Sequence, residues 1–298
     1  PAQFYRAMEF SEGMALVCRP EDSEKFAFIN PSGNPITPYK YNMAGTKKTV
    51  SEGLVCVCTK VYSPAMQKAL DNGDSIDHSE YANGVDTIIM KSGKKFTDRD
   101  VTYKYAYINT KGEEVLQTQA DDARNFKDGM ATIFHSRRLV NDRAYFKIGW
   151  MDTTGKMVIP DHSEESWWFS NDVHDFDDGL VCYFKARSEG LDVMPSGGIL
   201  DKTGKVIIPA EPDTFITGNQ FGLWWKDGII AVAPFCKTNE NGQRDNNGKY
   251  WWQHLYLYDY SGRLIAKPEG YTGGYPLGGG YTLSMYQPLK NKLADEAL

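Results

Sequence analysis

Apolar and polar residues alternate in short runs along this chain, and many runs are separated by turns that begin with Asp or Asn and have Gly three positions later. Asp or Asn at the first position of a type I turn bonds the turn backbone. Gly at the fourth position takes the left-handed conformation that lets two strands pair again through a bulge. The pattern therefore predicts five β-hairpins, with a positive φ at five structural turn residues: Gly33, Gly112, Gly155, Gly204 and Gly262.

A second pattern alternates with the hairpins and predicts the start of a strand. An apolar or aromatic residue, one spacer, an acid and Gly precede an alternating apolar stretch. The copies are FSEGMALV from Phe10, VSEGLVCV from Val50, FKDGMATI from Phe126, FDDGLVCY from Phe176 and WKDGIIAV from Trp225, with a degraded sixth, LGGGYTLS, from Leu277. We expect a tight turn at the acid and glycine, one apolar row directed inward, and the first residue of each copy packed between neighbouring sheets.

The two patterns together predict a single repeat domain over 1–298. Its repeats lie near 10–38, 50–116, 126–160, 176–209 and 225–268, followed by a partial closing or capping strand at 277–286. The second repeat is longer because it contains an insertion at 60–103. Within the insertion, Ser63 as N-cap, Pro64 at the first helical position and Gly73 as terminator predict a short helix, and TIIMKSGKKF from Thr87 predicts a weak hairpin.

The aromatic content favours an all-β fold, since the chain has 18 Tyr, 14 Phe and 7 Trp and few stretches with helical spacing. Repeats of this length, with at least three strands each, predict a five- or six-bladed propeller-like ring in which small sheets pack around an axis. An open superhelix of β-hairpins is the alternative. Six strand starts against five hairpins leave 277–286 as either a closing strand or a cap.

The residues of both patterns resemble a known family. The alternation of F-x-[DE]-G-[LM] with G-[aromatic]-[IM]-D-x-x-G-K-x-[VI]-I-P is similar to the WG repeat, also called the KWG repeat, of bacterial proteins. Gly149 with Trp150 matches the small residue flanked by an aromatic, and three further copies keep the small residue, at Ala27, Ala106 and Gly198. Tyr256 departs from it. The resemblance implies an all-β repeat protein, usually without an assigned enzymatic activity, and it supplies no catalytic residues.

Net charge and composition limit the classes of partner and the cellular location that we expect. A net charge of −6, with a pI near 5.5, would repel a phosphate backbone, so we expect no nucleic-acid partner. No apolar run approaches the roughly 20 residues that span a bilayer, so we expect no membrane insertion. Four of the five cysteines lie in apolar, strand-like runs without metal-ligand spacing, which predicts buried free thiols and a reducing, cytoplasmic location. Pro1 fits removal of an initiator Met or trimming of an exported precursor.

Candidate chemistry lies where the repeats are interrupted. Three tryptophan pairs break the pattern, and in each pair one ring can be core while the other is free to stack on a sugar or a peptide. The first pair lies in DHSEESWWFSNDVHD, outside both repeat halves, beside carboxylates and histidines. The predicted ligand-binding residues are Trp167, Trp168, Asp172, His174, Trp224, Trp251 and Trp252. Acidic loops are usually only solvated, and we predict no cofactor, no metal site and no catalytic residue.

Three classes of function stay open, one of which is a purely structural or surface protein. The first is a non-catalytic binding or scaffold module that presents a β-repeat surface to a protein or glycan ligand, because repeat architectures offer broad surfaces. The alternative is a glycoside-active enzyme on a propeller scaffold, using carboxylates from the inter-repeat loops. Convergence of three or more carboxylates from different repeats in one pocket would favour the enzyme.

Overall fold

The chain folds as two all-β units, Pro1–Asp161 and His162–Leu298. The computed structural model describes residues 3–42, 46–47, 49–82, 85–140, 143–160, 168–169, 175–185, 196–210, 223–232, 235–236, 251–252, 256–267, 271–278 and 281–286. These residues contain one α-helix, so the predicted all-β class is confirmed. The C-terminal LKNKLADEAL, whose sequence is typical of a helix, lies outside the described residues.

Unit 1 consists of small antiparallel sheets. Its strands are β1 (Arg6–Ala7), β2 (Ala15–Arg19), β3 (Asp22–Ile29), β4 (Tyr41–Asn42), β5 (Leu54–Tyr62), β6 (Ile76–Ala82), β7 (Val85–Met90), β8 (Lys95–Thr97), β9 (Val101–Asn109), β10 (Glu114–Gln117), β11 (Asp122–Lys127), β12 (Met130–Val140), β13 (Arg143–Asp152) and β14 (Met157–Ile159). The sheets run β1-β2-β3-β4, β5-β9-β10, β6-β7-β8 and β11-β12-β13-β14. Apart from β6-β7-β8, each sheet contains strands that flank one strand-starting copy and one hairpin turn.

Unit 2 repeats the same design. Its strands are β15 (Trp168–Phe169), β16 (Leu180–Lys185), β17 (Ser196–Asp201), β18 (Val206–Ile208), β19 (Leu223–Lys226), β20 (Ile229–Val232), β21 (Phe235–Cys236), β22 (Trp251–Trp252), β23 (Tyr256–Asp259), β24 (Leu264–Ala266), β25 (Tyr271–Gly278) and β26 (Tyr281–Tyr286). The repeat sheets run β16-β17-β18 and β19-β20-β23-β24, with two-stranded sheets β21-β22 and β25-β26. Strands β25 and β26, which include the degraded sixth copy, pair with each other as a separate two-stranded sheet. Strand β25 lies against β19 and β20.

The five hairpin turns have the predicted geometry. Gly33, Gly112, Gly155, Gly204 and Gly262 have φ values between 80° and 86°. In the third turn the Asp152 carboxylate accepts hydrogen bonds from the backbone N–H groups of Thr154 and Lys156, and the Gly155 N–H donates to the Asp152 carbonyl. The register then shifts by one residue between Trp150 and Met151. The side-chain bonds at the first turn position thus set the bulge that the sequence predicts.

Strand β5 shows how neighbouring repeats pack. Val55 and Val57 join a core cluster with the sheet β1-β2-β3-β4. Cys56 and Cys58 join a cluster with the sheet β11-β12-β13-β14. All four side chains are almost fully buried. Because successive strand residues point to opposite faces, this sheet is covered on both sides. The expectation of a single inward apolar row is wrong for β5, whose run of four apolar residues is typical of a strand buried on both faces.

Three first residues of the strand-starting copies are buried as predicted, Trp225 is only partly buried, and Phe10 is exposed. Val50, Phe126 and Phe176 are buried, and the Phe126 ring lies 4.8 Å from the Tyr107 ring of the preceding sheet. Phe10 is 52 % exposed, which contradicts the prediction for the first copy. Phe126 gains its burial from the preceding repeat, and no described repeat precedes Phe10.

The insertion forms a small substructure of its own. Helix α1 (Pro64–Asp71) begins as predicted, with the Met66 N–H donating to the Ser63 hydroxyl oxygen. The hairpin of β7 and β8 is also present, followed by a 3₁₀ turn, Asp98–Asp100. Strand β6 was not predicted, because its residues are polar and exposed and carry no apolar alternation. The ladder between β5 and β9 continues to the pair Tyr62–Val101, so the insertion begins only at Ser63.

Four of the five cysteines have described side chains. Cys18, Cys56, Cys58 and Cys182 are free thiols and are buried, as predicted. Burial raises the pKa of both Cys56 and Cys182 to about 12, because an apolar interior disfavours the thiolate. The Cys56 thiol donates to the Ala123 carbonyl oxygen at 3.6 Å. These thiols therefore serve as core packing groups.

Glycine at the hairpin turns also permits close contact between repeats. A β-carbon on Gly112 would lie 2.4 Å from the carbonyl oxygen of Ile36, in the preceding repeat. In unit 2, a β-carbon on Gly262 would lie 2.4 Å from the Ile207 carbonyl oxygen. At these two positions the turn of one hairpin therefore rests directly on the backbone of the hairpin before it.

We predict that Gly112→Ala destabilises the fold much more than Gly93→Ala. Both glycines have positive φ, but a β-carbon on Gly93 meets no heavy atom within 4 Å. Gly93→Ala should cost about 1 to 2 kcal/mol of unfolding free energy from the left-handed conformation alone. Gly112→Ala should cost about 1 to 3 kcal/mol more because the methyl group overlaps Ile36. Urea denaturation of both variants measures the difference, and equal losses would contradict the close contact.

We also predict five free thiols in protein unfolded without a reductant, as measured by reaction with a chromogenic disulfide. The native protein should react slowly at pH 8, because the raised pKa values of Cys56 and Cys182 keep their thiols protonated and burial blocks access. Recovery of fewer than five thiols from the unfolded chain would reveal a disulfide.

Candidate functional site

The predicted ligand-binding residues fall on unit 2. Trp167, Asp172 and His174 lie outside the described residues. The remaining four are on strands, with Trp168 in β15, Trp224 in β19, and Trp251 and Trp252 in β22. Strand β22 pairs with β21, and Cys236 and Phe235 lie opposite the two tryptophans. The tryptophan site therefore stays a prediction.

Trp225 belongs to the fold, as its repeat position predicts. Its indole N–H donates to the carbonyl oxygen of Asp177, in the tight turn of the preceding copy. Trp224 precedes it in β19, opposite Ala231 of β20. Trp225 is therefore a reference residue for a tryptophan with a structural role.

The acid–glycine turns are the most regular polar feature of the described chain. In all five copies the acid itself has positive φ, between 46° at Glu12 and 57° at Glu52 and Asp128, and the glycine that follows has φ between 75° and 84°. Two successive residues with positive φ form the type I′ turn that joins the strands of a tight hairpin. Around Asp128, for example, Lys127 of β11 pairs directly with Met130 of β12.

An acid is an unusual choice at this position, because Asn or Gly adopts positive φ at lower cost. In unit 1 the acids form bonds that explain the choice. The Glu12 carboxylate accepts from the backbone N–H groups of Glu52 and Gly53, at 3.1 and 2.8 Å. The Glu52 carboxylate in turn accepts from the Gly129 N–H with both of its oxygens, at 3.1 and 2.9 Å. Glu12 and Glu52 thus each bond the turn of the next repeat. We call this series of bonds the turn ladder.

The turn ladder recurs in unit 2. The Asp178 carboxylate accepts from the backbone N–H of Asp227 at 3.1 Å, and it also accepts from the Tyr260 hydroxyl. Burial, together with the Asp178 hydrogen bond, raises the pKa of Tyr260, so its hydroxyl stays protonated and can donate. The acid therefore joins the next tight turn to the following hairpin turn.

The hairpin acids are engaged as well. A hydrogen bond from the Thr154 hydroxyl, aided by backbone N–H donors, lowers the pKa of Asp152. Similar bonds, the first from Ser261, lower the pKa of Asp259 to about 2. A lowered folded-state pKa makes these bonds fully stabilising above the unfolded-state pKa of about 3.9, and the contribution is lost as the pH falls through the folded-state value.

These contacts assign a structural task to several repeat acids. Glu12, Glu52, Asp152, Asp178 and Asp259 all accept backbone N–H bonds in turns. Within the described ranges, no group of three or more His, Cys, Asp and Glu side chains is arranged to hold a metal ion. No described helix has the length and apolar character needed to cross a membrane.

The insertion adds a different surface. Strand β6 lies at the edge of its sheet, and the side chains of Ile76, His78 and Tyr81 are exposed. The His78 ring bonds the carboxylates of Asp77 and Glu80, which raise the His78 pKa. This strand is therefore an acidic, partly apolar edge that interrupts the repeat pattern.

The sequence predicts the tight turns but not the bonds between them. The available signal was the acid itself, which recurs in five copies at a position where Asn would form the same turn more easily. A recurring residue that is locally unfavourable indicates a contact elsewhere in the fold.

We predict that Glu12→Gln lowers the unfolding free energy by about 0.5 to 1.5 kcal/mol, because an amide oxygen accepts the Glu52 and Gly53 N–H bonds less strongly than a carboxylate. Glu9→Gln is the control, since Glu9 is an exposed acid close in sequence, and its effect should stay within about 0.5 kcal/mol. Denaturant titrations compare the two. Equal effects would remove the turn ladder as a source of stability.

Comparison with known proteins agrees with the repeat pattern. A search of curated proteins found no match. The model of the family described as WG containing repeat matches residues 105–134, which run from β9 through the Asp128–Gly129 turn into β12. The match confirms the resemblance to the WG repeat family over residues 105–134, which contain the hairpin turn of one predicted repeat and the strand start of the next.

Proposed function

We propose that the chain is a non-catalytic binding or scaffold module that presents its β-repeat surface to a protein or glycan ligand. The observation that carries the proposal is the use of the repeat acids: carboxylates from successive repeats accept backbone N–H bonds in the next turn. A glycosidase needs a pair of carboxylates free to act on substrate. The acids in the turns serve the fold, so a catalytic pair would have to come from the inter-repeat segments instead.

The ligand contact that we propose is the segment with Trp167 and Trp168, together with Asp172 and His174. These residues lie outside both repeat halves, where the contacts of the turn ladder and the hairpins are not required. An exposed indole offers a flat apolar face for stacking, and nearby acids orient hydroxyls or amines. The proposed ligand contact also includes three tryptophans elsewhere in unit 2, Trp224, Trp251 and Trp252.

Two arrangements of the repeats serve such a module, a five- or six-bladed propeller-like ring and an open superhelix of hairpins. Packing of β5 on both faces suits either arrangement. In the first sheet, the face with Ala15, Val17 and Ile29 is covered by Phe4 and Tyr39. Small-angle X-ray scattering distinguishes the two arrangements, because the superhelix has the larger maximum dimension.

We predict that Trp168→Ala weakens ligand binding by about 1 to 3 kcal/mol with little change in melting temperature, as expected for a stacking contact. The matched variant is Trp225→Ala, which removes the indole bond to Asp177 and should lower the melting temperature instead. Glycan and peptide arrays probed with the purified protein identify the ligand, and titration calorimetry of both variants measures the loss. A fall in stability without a specific loss of binding would make Trp168 a fold residue. Release of reducing sugar from an array glycan would favour the enzyme.

A further inference from the structure

The first tight turn of the chain differs from the others in what its backbone contacts. In the second turn, the N–H groups of Glu52 and Gly53 donate to a carboxylate of the preceding repeat. Glu12 and Gly13 occupy the same positions in the first turn, with the same signs of φ. Both residues are exposed, and no described residue accepts a bond from their N–H groups. The first turn therefore presents the same donor pair to solvent.

The geometry of that donor pair is fixed by bonds on its other sides. Ser11 and Met14 exchange two backbone hydrogen bonds, at 2.8 and 3.0 Å, which close the turn. The Ser11 hydroxyl donates to the Val50 carbonyl oxygen, and the Glu12 carboxylate bonds the second turn. A ligand would thus meet N–H groups that are already oriented, and their ordering would cost little on binding.

An exposed aromatic side chain lies two residues before the turn. Phe10 is 52 % exposed, whereas Val50 and Phe126, its counterparts in the next two copies, are 5 % and 0 % exposed. In those copies the preceding repeat covers the apolar side chain, and its acid bonds the turn. The first copy therefore exposes two groups that are covered in the next two copies. One is polar, the turn N–H groups, and the other is apolar, the Phe10 ring.

Several copies of the strand-starting pattern have no acid available for the first turn. LGGGYTLS has Gly279 where the other copies have an acid. Glu12, Glu52 and Asp178 already bond other turns. An acidic segment of a partner protein can supply the carboxylate that no described residue supplies to the first turn.

We propose that the N–H groups of Glu12 and Gly13, together with the Phe10 ring, form a binding site for an acidic segment of a partner protein. The segment carries an Asp or Glu side chain, and the apolar residues beside it pack on Phe10. The negative charge of Glu12 does not prevent this, because the second turn accepts the Glu12 carboxylate although Glu52 is itself an acid. The site lies apart from the tryptophan segment in sequence, so the two can be tested separately.

The test is a titration of the full-length, ¹⁵N-labelled protein with a cyclised peptide of residues 8–17, MEFSEGMALV, whose own acid–glycine turn fits the second turn in the protein. We expect the amide signals of Glu12 and Gly13 to shift. The amides of Glu52 and Gly53 are internal controls, because they already donate to Glu12 and should not move. A peptide with Gln at its turn acid retains Glu9 and should bind at least tenfold more weakly.

Phe10→Ala tests the apolar half of the site. The side chain is half exposed, so we expect the variant to fold, with an unchanged amide spectrum elsewhere and peptide affinity reduced at least fivefold. Three outcomes would overturn the proposal: no shift of Glu12 and Gly13 at millimolar peptide, equal binding of the Gln peptide, or shifts that depend on protein concentration alone. The last outcome would identify a second copy of this chain as the occupant.

Discussion

A carboxylate at the tip of one hairpin bonds the backbone of the next, and the spacing between successive sheets depends on this bond. Glu12 reaches the second turn and Glu52 the third, over sequence separations of 41 and 77 residues. Because both ends of the bond lie in type I′ turns, neither end has much freedom. The sheets are held close enough for Gly112 to rest on the backbone of Ile36 and for the cores of neighbouring repeats to merge.

The hairpins and the tight turns could be predicted from the sequence because their causes are local. Gly155 needs positive φ for its turn, and Asp152 bonds residues two and four positions away. Helix α1 was predictable for the same reason, from Ser63 and Pro64. The turn ladder could not be deduced in this way, since nothing near Glu12 in sequence indicates Gly53 as its partner. Phe10 was mispredicted because its sequence pattern is that of the buried copies, whereas no described repeat covers its side chain.

The binding site was harder to predict than the fold. A repeat position is interpreted by comparison with its other copies, so Trp225 could be assigned to packing, and its bond to Asp177 agrees. Trp167 and Trp168 have no counterpart in other copies, and the sequence gives only their departure from the pattern. The first tight turn shows the opposite case. There the sequence pattern matches the other copies. The lack of a described acceptor for the turn N–H groups becomes evident only from the hydrogen bonds of those copies.

The insertion in the second repeat leaves and re-enters its ladder at adjacent residues. Tyr62 pairs with Val101, and the Ser63 N–H donates to the Asp100 carbonyl oxygen at 2.7 Å, so the two ends are one backbone bond apart. The inserted residues also bury a core of their own, around Met66 and Met90. Because the two ends of the insertion are adjacent, an insertion of different length can replace it while β5 and β9 keep their register.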